Sequence, residues 1–145
     1  MNEIFELLIM ATDWGYNGNY DSFFTKIKAE GYNGAEIWCP GDDKGRKELS
    51  EAAHKHGMKL GLLFGSGEKD PQKNFEEFTK VMNAGAALNP VYINCHTAKD
   101  FFTPGQLKPF FEFTFQLSKQ KKIPIYHETH RGRALYSATV TKGLI

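Results

Sequence analysis

Gly31-Tyr32-Asn33-Gly34-Ala35-Glu36-Ile37-Trp38 stands between two helical stripes and reads as a buried strand. Ahead of it, Tyr20, Phe23, Phe24 and Ile27 mark one face of a helix, and Gly31 stops that helix. Beyond it, Leu49, Ala52, Ala53 and His56 recur at helical spacing, and Gly57 closes the second helix. Within the strand, Ala35 and Ile37 alternate with Glu36 and Trp38. One face therefore meets a helix layer, while the other carries a carboxylate and an indole.

The same unit repeats in both directions. Strand-length apolar runs fall at Phe5–Ala11, Gly34–Trp38, Met58–Phe64, Pro90–Cys95 and Ile123–Glu128. They begin about 25–33 residues apart, the length of one strand–helix–strand repeat. Asp70-Pro71 supplies an N-cap and a first-turn proline for a third helix, whose buried face is Phe75, Phe78 and Met82. Thr103-Pro104 with Gln106 opens a fourth along Leu107, Phe110, Phe111, Thr114 and Leu117. Pro109, inside that stripe, predicts a later start or a kink. Ser137–Ile145 is expected to begin a fifth helix. Regular alternation with short connections predicts an α/β fold of parallel strands joined by right-handed crossovers. The expected architecture is a partial (β/α)8 TIM barrel of about five units, not closed, forming a single domain over residues 1–145.

Composition narrows the function. Of 145 residues, 41% are hydrophobic and 24% charged, as in a water-soluble globular domain. With 18 Lys plus Arg against 17 Asp plus Glu, the net charge of +1 argues against nucleic acid and anionic membranes as partners. Met1-Asn2-Glu3 begins no signal segment, and no apolar run reaches bilayer length. Cys39 and Cys95 lie outside any CxxC motif and are expected as reduced thiols in a cytoplasmic protein.

The polar phases of the strands converge at their carboxyl ends, where barrel enzymes build their sites. In the fourth strand, Tyr92, Asn94 and His96 alternate with Val91, Ile93 and Cys95. In the fifth, Glu128 and His130 share one phase, and Ile125 and His127 the other, so His127 is expected in the helix layer. Glu36, Glu128, His96 and His130 offer oxygen and nitrogen donors to a divalent metal. A carboxylate beside a metal is also suited to removing a proton next to a carbonyl. Arg131 and Arg133 suit a hydroxyl-rich or phosphorylated substrate. Trp14 and Trp38 follow strands, where pocket walls are built. Structural alternatives stand beside these readings: Glu36 pairing with a buried Arg or Lys, and His96 as a hydrogen-bonded core residue. Gly65-Ser66-Gly67 reads as a flexible loop without a phosphate-binding fingerprint.

Ile125-Tyr126-His127-Glu128-Thr129-His130-Arg131-Gly132-Arg133 resembles the fifth-strand motif of the xylose isomerase-like TIM-barrel superfamily. That superfamily is the sugar phosphate isomerase/epimerase group, which also includes endonuclease IV-type (AP endonuclease family 2-like) enzymes. Ala11-Thr12-Asp13-Trp14-Gly15, Gly31–Trp38 and Val91–His96 add to the resemblance, which spans essentially the whole chain. It implies that Glu128 is a metal ligand and an acid–base carboxylate. It implies that Glu36, His96, His130 and Arg131 line the substrate site. The implied cofactor is a divalent metal (Mn, Mg, Co or Zn). Further ligands, typically an Asp, a His and a second Glu, are expected on strands six to eight, so the chain is expected to be an incomplete, truncated catalyst.

Three functions are weighed. The first is a metal-dependent sugar or sugar phosphate isomerase/epimerase working by proton transfer. The second is a non-catalytic, sugar-binding half-barrel that self-associates through its open strand edges. The third is an endonuclease IV-type phosphodiesterase, disfavoured by the near-zero net charge.

Overall fold

The computed structural model describes residues 6–144. Five strands, β1 Met10–Thr12, β2 Gly34–Trp38, β3 Lys59–Gly65, β4 Tyr92–His96 and β5 Ile125–His127, alternate with five helices. The helices are α1 Tyr20–Ala29, α2 Asp43–His56, α3 Pro71–Ala86, α4 Pro104–Lys121 and α5 Ala138–Leu144. All neighbouring strands pair in parallel, in the order β1-β2-β3-β4-β5. Sequential order without reversal carries every helix back on the same face of the sheet, the winding of a barrel rather than of a doubly wound sheet. The fold is thus an open, partial TIM-barrel-like sheet of five βα units.

The core lies between the sheet and the helices. Ala35, Ile37, Leu60, Leu62, Phe64, Ile93 and Cys95 point into it from the strands. Phe24, Leu49, Phe78, Met82, Leu107 and Phe110 meet them from the helices, each with essentially no exposure. This is the apolar phase expected for β2 and β4. α3 begins on Asp70, whose side chain accepts from the Lys73 N–H, with Pro71 in its first turn. Among the described residues, no helix is long and apolar enough to cross a membrane.

Several boundaries differ from expectation for local reasons. The run expected to start at Phe5, which lies outside the described residues, pairs only over Met10–Thr12. Just before that stretch, the Ile9 N–H donates to the Asn33 side chain (2.8 Å) instead of entering a ladder, and Leu7 is 77% exposed. β3 starts at Lys59 rather than Met58 because the Met58 N–H caps α2, donating to the Ala53 carbonyl (2.9 Å) beyond left-handed Gly57. α4 neither starts late nor breaks at Pro109. Thr103 and Gln106 form a reciprocal capping box. Pro109 falls in the second turn, where its missing N–H forfeits one bond, and buried Leu107, Phe110, Thr114 and Leu117 hold the helix to the sheet. α5 ends, as described, at Leu144; Ile145 lies outside the described residues.

Candidate functional site

Parallel pairing lines up barrel-face residues in rows across the sheet. Glu36, Gly61 and Tyr92 form one row. Trp38, Leu63, Asn94 and Tyr126 form the next. Gly65 and His96 form the last, at the carboxyl edge. Glu128 continues that edge: its N–H donates to the Cys95 carbonyl (3.0 Å), extending the β4–β5 ladder one residue past β5. The backbone therefore fixes Glu128 beside His96.

Both carboxylate oxygens of Glu128 are engaged. Asn94 Nδ2 donates to Oε1 at 2.6 Å, and His96 Nε2 stands 2.7 Å from Oε2. Burial of the His96 ring pushes its pKa below the usual imidazole range. The neighbouring Glu128 charge pulls the other way, while His130 and Arg133 add to the decrease. A ring that resists protonation donates its single N–H to Glu128 and leaves the carboxylate charge uncancelled. Trp38 packs edge-on against His96 (ring centroids 5.0 Å), and the His130 ring lies 4.5 Å from it, tilted by 31°. His130 is exposed, and its Nδ1 meets the Arg131 carbonyl at 2.6 Å. Arg131 projects into solvent.

The fold thus brings Glu128, His96, His130 and Trp38 together. It does not bring Glu36 or Trp14 to them. Glu36 belongs to the row of Tyr92, four residues before His96, about 13 Å down the sheet at the rise of a strand. Among the described residues no Arg or Lys forms an ion pair with it; burial first, and the neighbouring Glu36 carboxylate second, push the Tyr92 phenol above its usual range. Gly61 makes this possible, because a Cβ there would stand 2.5 Å from Tyr92 Cζ. Trp14 is 74% exposed and borders a hollow with Tyr16, Phe23 and Ile27 on the α1 flank. His127 sits in the helix layer, between Thr97 (2.6 Å) and Thr114 (3.1 Å) and against Phe111.

Residues outside the expected set also belong here. Asn94 was visible only as a polar residue in the right phase. Lys99, three residues beyond His96, carries no sequence signal of its own. Its Nζ donates to the Ser66 carbonyl (2.9 Å), and Arg133 Nη1 donates to the same oxygen (2.9 Å). Gly65-Ser66-Gly67 is accordingly tethered rather than free: Ser66 is 2% exposed, and its hydroxyl donates to Glu77.

A divalent metal needs more donors than this group provides. Among the described residues, no three His, Cys, Asp or Glu side chains are placed to hold one. Glu128 and His96 face each other, so the described residues do not by themselves fit a metal centre.

No family model matches the sequence, and no curated protein matches it. Solved structures do. 3-Keto-D-glucoside 4-epimerase YcjR from E. coli, in its apo form, superposes with a TM-score of 0.71 at 15% identity, over 97% of this chain and 64% of that one. A D-tagatose 3-epimerase-like protein superposes with a TM-score of 0.71 at 11% identity, over 96% of this chain and 60% of that one. These structures share the fold of this chain, a partial TIM-barrel-like sheet of parallel βα units. The carboxyl transferase domain of Rhizobium etli pyruvate carboxylase, with pyruvate and biocytin, superposes less fully, at a TM-score of 0.62 over 86% of this chain and 23% of that one. The chain spans less than two thirds of the length of either epimerase-like structure. Within this fold, the Glu128–His96 pair stands at the carboxyl edge of β4 and β5.

Proposed function

We propose that this chain carries part of the active site of a sugar or sugar phosphate isomerase/epimerase, with Glu128 as the group that moves a proton at the carbon next to a carbonyl. The observation that carries this reading is the pair of donors on Glu128. Asn94 and His96 hold both oxygens, fixing the carboxylate at the strand ends without neutralising it.

In the proposed step, a Glu128 oxygen takes the proton. The C–H electron pair shifts into the adjacent carbonyl, leaving an enediolate. Return of the proton to the neighbouring carbon, as the substrate hydroxyl proton passes to the former carbonyl oxygen, completes an isomerisation. Return on the opposite face completes an epimerisation and needs a second acid–base group, a role for which Glu36, in the row of Tyr92 rather than of His96, is not placed. Trp38 forms an apolar wall, while His130 and Arg131 meet substrate hydroxyls or a phosphate. A divalent metal, if donors other than these residues completed its site, would take Glu128 as one ligand and would polarise the carbonyl. Exchange of carbon-bound protons for solvent deuterium, followed by NMR across ketoses and aldoses, tests the reading.

A second reading concerns the open sheet. β1 and β5 are edges among the described strands, and Tyr126, 58% exposed, lies on the barrel face of β5. Exposed edges and aromatic surface favour pairing with another copy of the chain. Light scattering tests it.

A further inference from the structure

The sheet ends on two unlike edges, and the apolar surface left bare is concentrated there. The chain exposes 9211 Å². A compact monomer of its 16.4 kDa exposes about 7,500 Å². The excess of about 1,700 Å² matches what one copy gives to two interfaces of ordinary size, about 800 Å² at each. Six of the eight large hydrophobic side chains left exposed lie at the terminal strands. Leu7, Ile9 and Trp14 flank β1; Tyr126 lies on β5, Tyr136 follows it, and Phe115 borders a hollow with Ile125.

The two edges are complementary. Toward β4, β5 uses the Pro124 carbonyl, which accepts from the Ile93 N–H, and the Glu128 N–H. By the alternation of a parallel ladder, Ile125 and His127 aim their N–H and C=O groups at the free edge. A strand running the same way satisfies them, as inside the sheet. The helix layer has a hollow at each end. One, of about 400 Å³, lies against α1 and is bounded by Trp14, Phe23 and Ile27. The other, of about 620 Å³, lies against α5 and is bounded by Leu135, Tyr136 and Ala138. A β5-to-β5 contact would leave both β1 edges bare. A two-fold axis along the strands instead joins β5 of each copy to β1 of the other in parallel, and this contact closes at two copies.

We infer that two copies of this chain close one barrel, and that Glu128 of the second copy supplies the acid–base group that epimerisation needs and a single copy lacks. The inference rests on the proton-transfer reading for the role of Glu128 and deepens it by naming the second group. The two-fold axis sets all strand carboxyl ends at one mouth, with the two Glu128–His96 pairs opposite each other across it. Glu128 of one copy takes the proton from one face of the substrate carbon. Glu128 of the second copy, in its acid form, gives a proton to the other face, and exchange with solvent returns both carboxyls to their starting states. Glu36 of either copy stays in the row of Tyr92, on the amino-end side of that mouth.

Sedimentation and subunit mixing of the full chain test this. The unaltered chain should sediment at twice its mass over a wide range of concentration. Ile9→Lys on the β1 flank and Tyr136→Asp on the β5 flank should each sediment mainly as monomers. Mixed in equal amounts they should form dimers again, because the hybrid keeps one seam with neither change and brings opposite charges together at the other. A monomeric unaltered chain, a mass that climbs past the dimer, or a mixture no larger than its components overturns the closed pair. In a second arm, the unaltered chain is mixed in equal amounts with Glu128→Gln. Epimer formation should fall to about one quarter, the fraction of pairs that hold both carboxylates. A fall to only about one half, or carbon-proton exchange with no epimer, overturns the role of the second Glu128. Neither the unaltered mass nor this dilution depends on how the edge variants fold. Absence of carbon-proton exchange in every sample overturns the proton-transfer reading, while the masses still judge the closed pair.

Discussion

His96 Nε2 lies 2.7 Å from Glu128 Oε2, although burial of its ring lowers its affinity for a proton. A charged histidine would cancel the carboxylate. A neutral one orients it and leaves it basic. Asn94, also neutral, does the same for the other oxygen at 2.6 Å.

Asn94→Leu should therefore reduce carbon-proton exchange by about tenfold, the worth of one hydrogen bond to a charged group, while leaving the melting temperature within a few degrees. Exchange rates and thermal melts of the two proteins check it. An unchanged rate would mean that Asn94 does not orient Glu128.

His127 gives the stability a pH dependence. Burial pushes its imidazole down to about 4 from an ordinary 6.5. Thr114 gives its own proton to the Phe111 carbonyl (3.0 Å), so it accepts from His127 Nε2, and Nδ1 is left to accept from Thr97. Above about pH 6.5 both folded and unfolded forms are neutral here. As the pH falls toward 4 the unfolded chain takes up the proton first, and about 3 kcal/mol of stability is lost. Denaturant unfolding from pH 7 to pH 4 should show this slope, and His127→Gln should flatten it.

Gly61 and Tyr92 form a coupled pair. Gly61→Ala should destabilise the fold by about 1–3 kcal/mol, because the new methyl group meets the Tyr92 ring. Combining it with Tyr92→Ala should cost less than the sum of the two single changes. Chemical denaturation of all three variants measures the coupling, and additive losses would count against the contact.

The period-two alternation of β2, β4 and β5 was readable from the sequence because a strand turns successive residues to opposite faces. Ile93 and Cys95 in the core, Asn94 and His96 on the barrel face and His127 among the helices all follow from it. What alternation does not encode is register between strands. The row that joins Glu36 to Tyr92 across Gly61 depends on how β2, β3 and β4 slide against one another, so phase alone places Glu36 on the barrel face but not in a row. Loop geometry was equally silent. Lys99 reaches Ser66 through a left-handed alanine, a conformation that no residue preference predicts. Pro109 misled in the opposite direction, since burial of the α4 face outweighs one lost hydrogen bond.

The open sheet makes its own prediction. The chain should sediment or scatter as a dimer or larger species, and Tyr126→Lys should shift it toward monomer by placing a charge on the β5 face. A monodisperse monomer at high concentration would contradict this.

The most direct test of the central claim is solvent deuterium exchange at the carbon next to the carbonyl of a sugar phosphate, with Glu128→Gln as the comparison. The account predicts measurable exchange by the unaltered chain and a loss of about 10²-fold or more in the variant, which keeps the size of the side chain but not its basicity and can accept only one of its two hydrogen bonds. Equal exchange by the two proteins, or none by either, would contradict it.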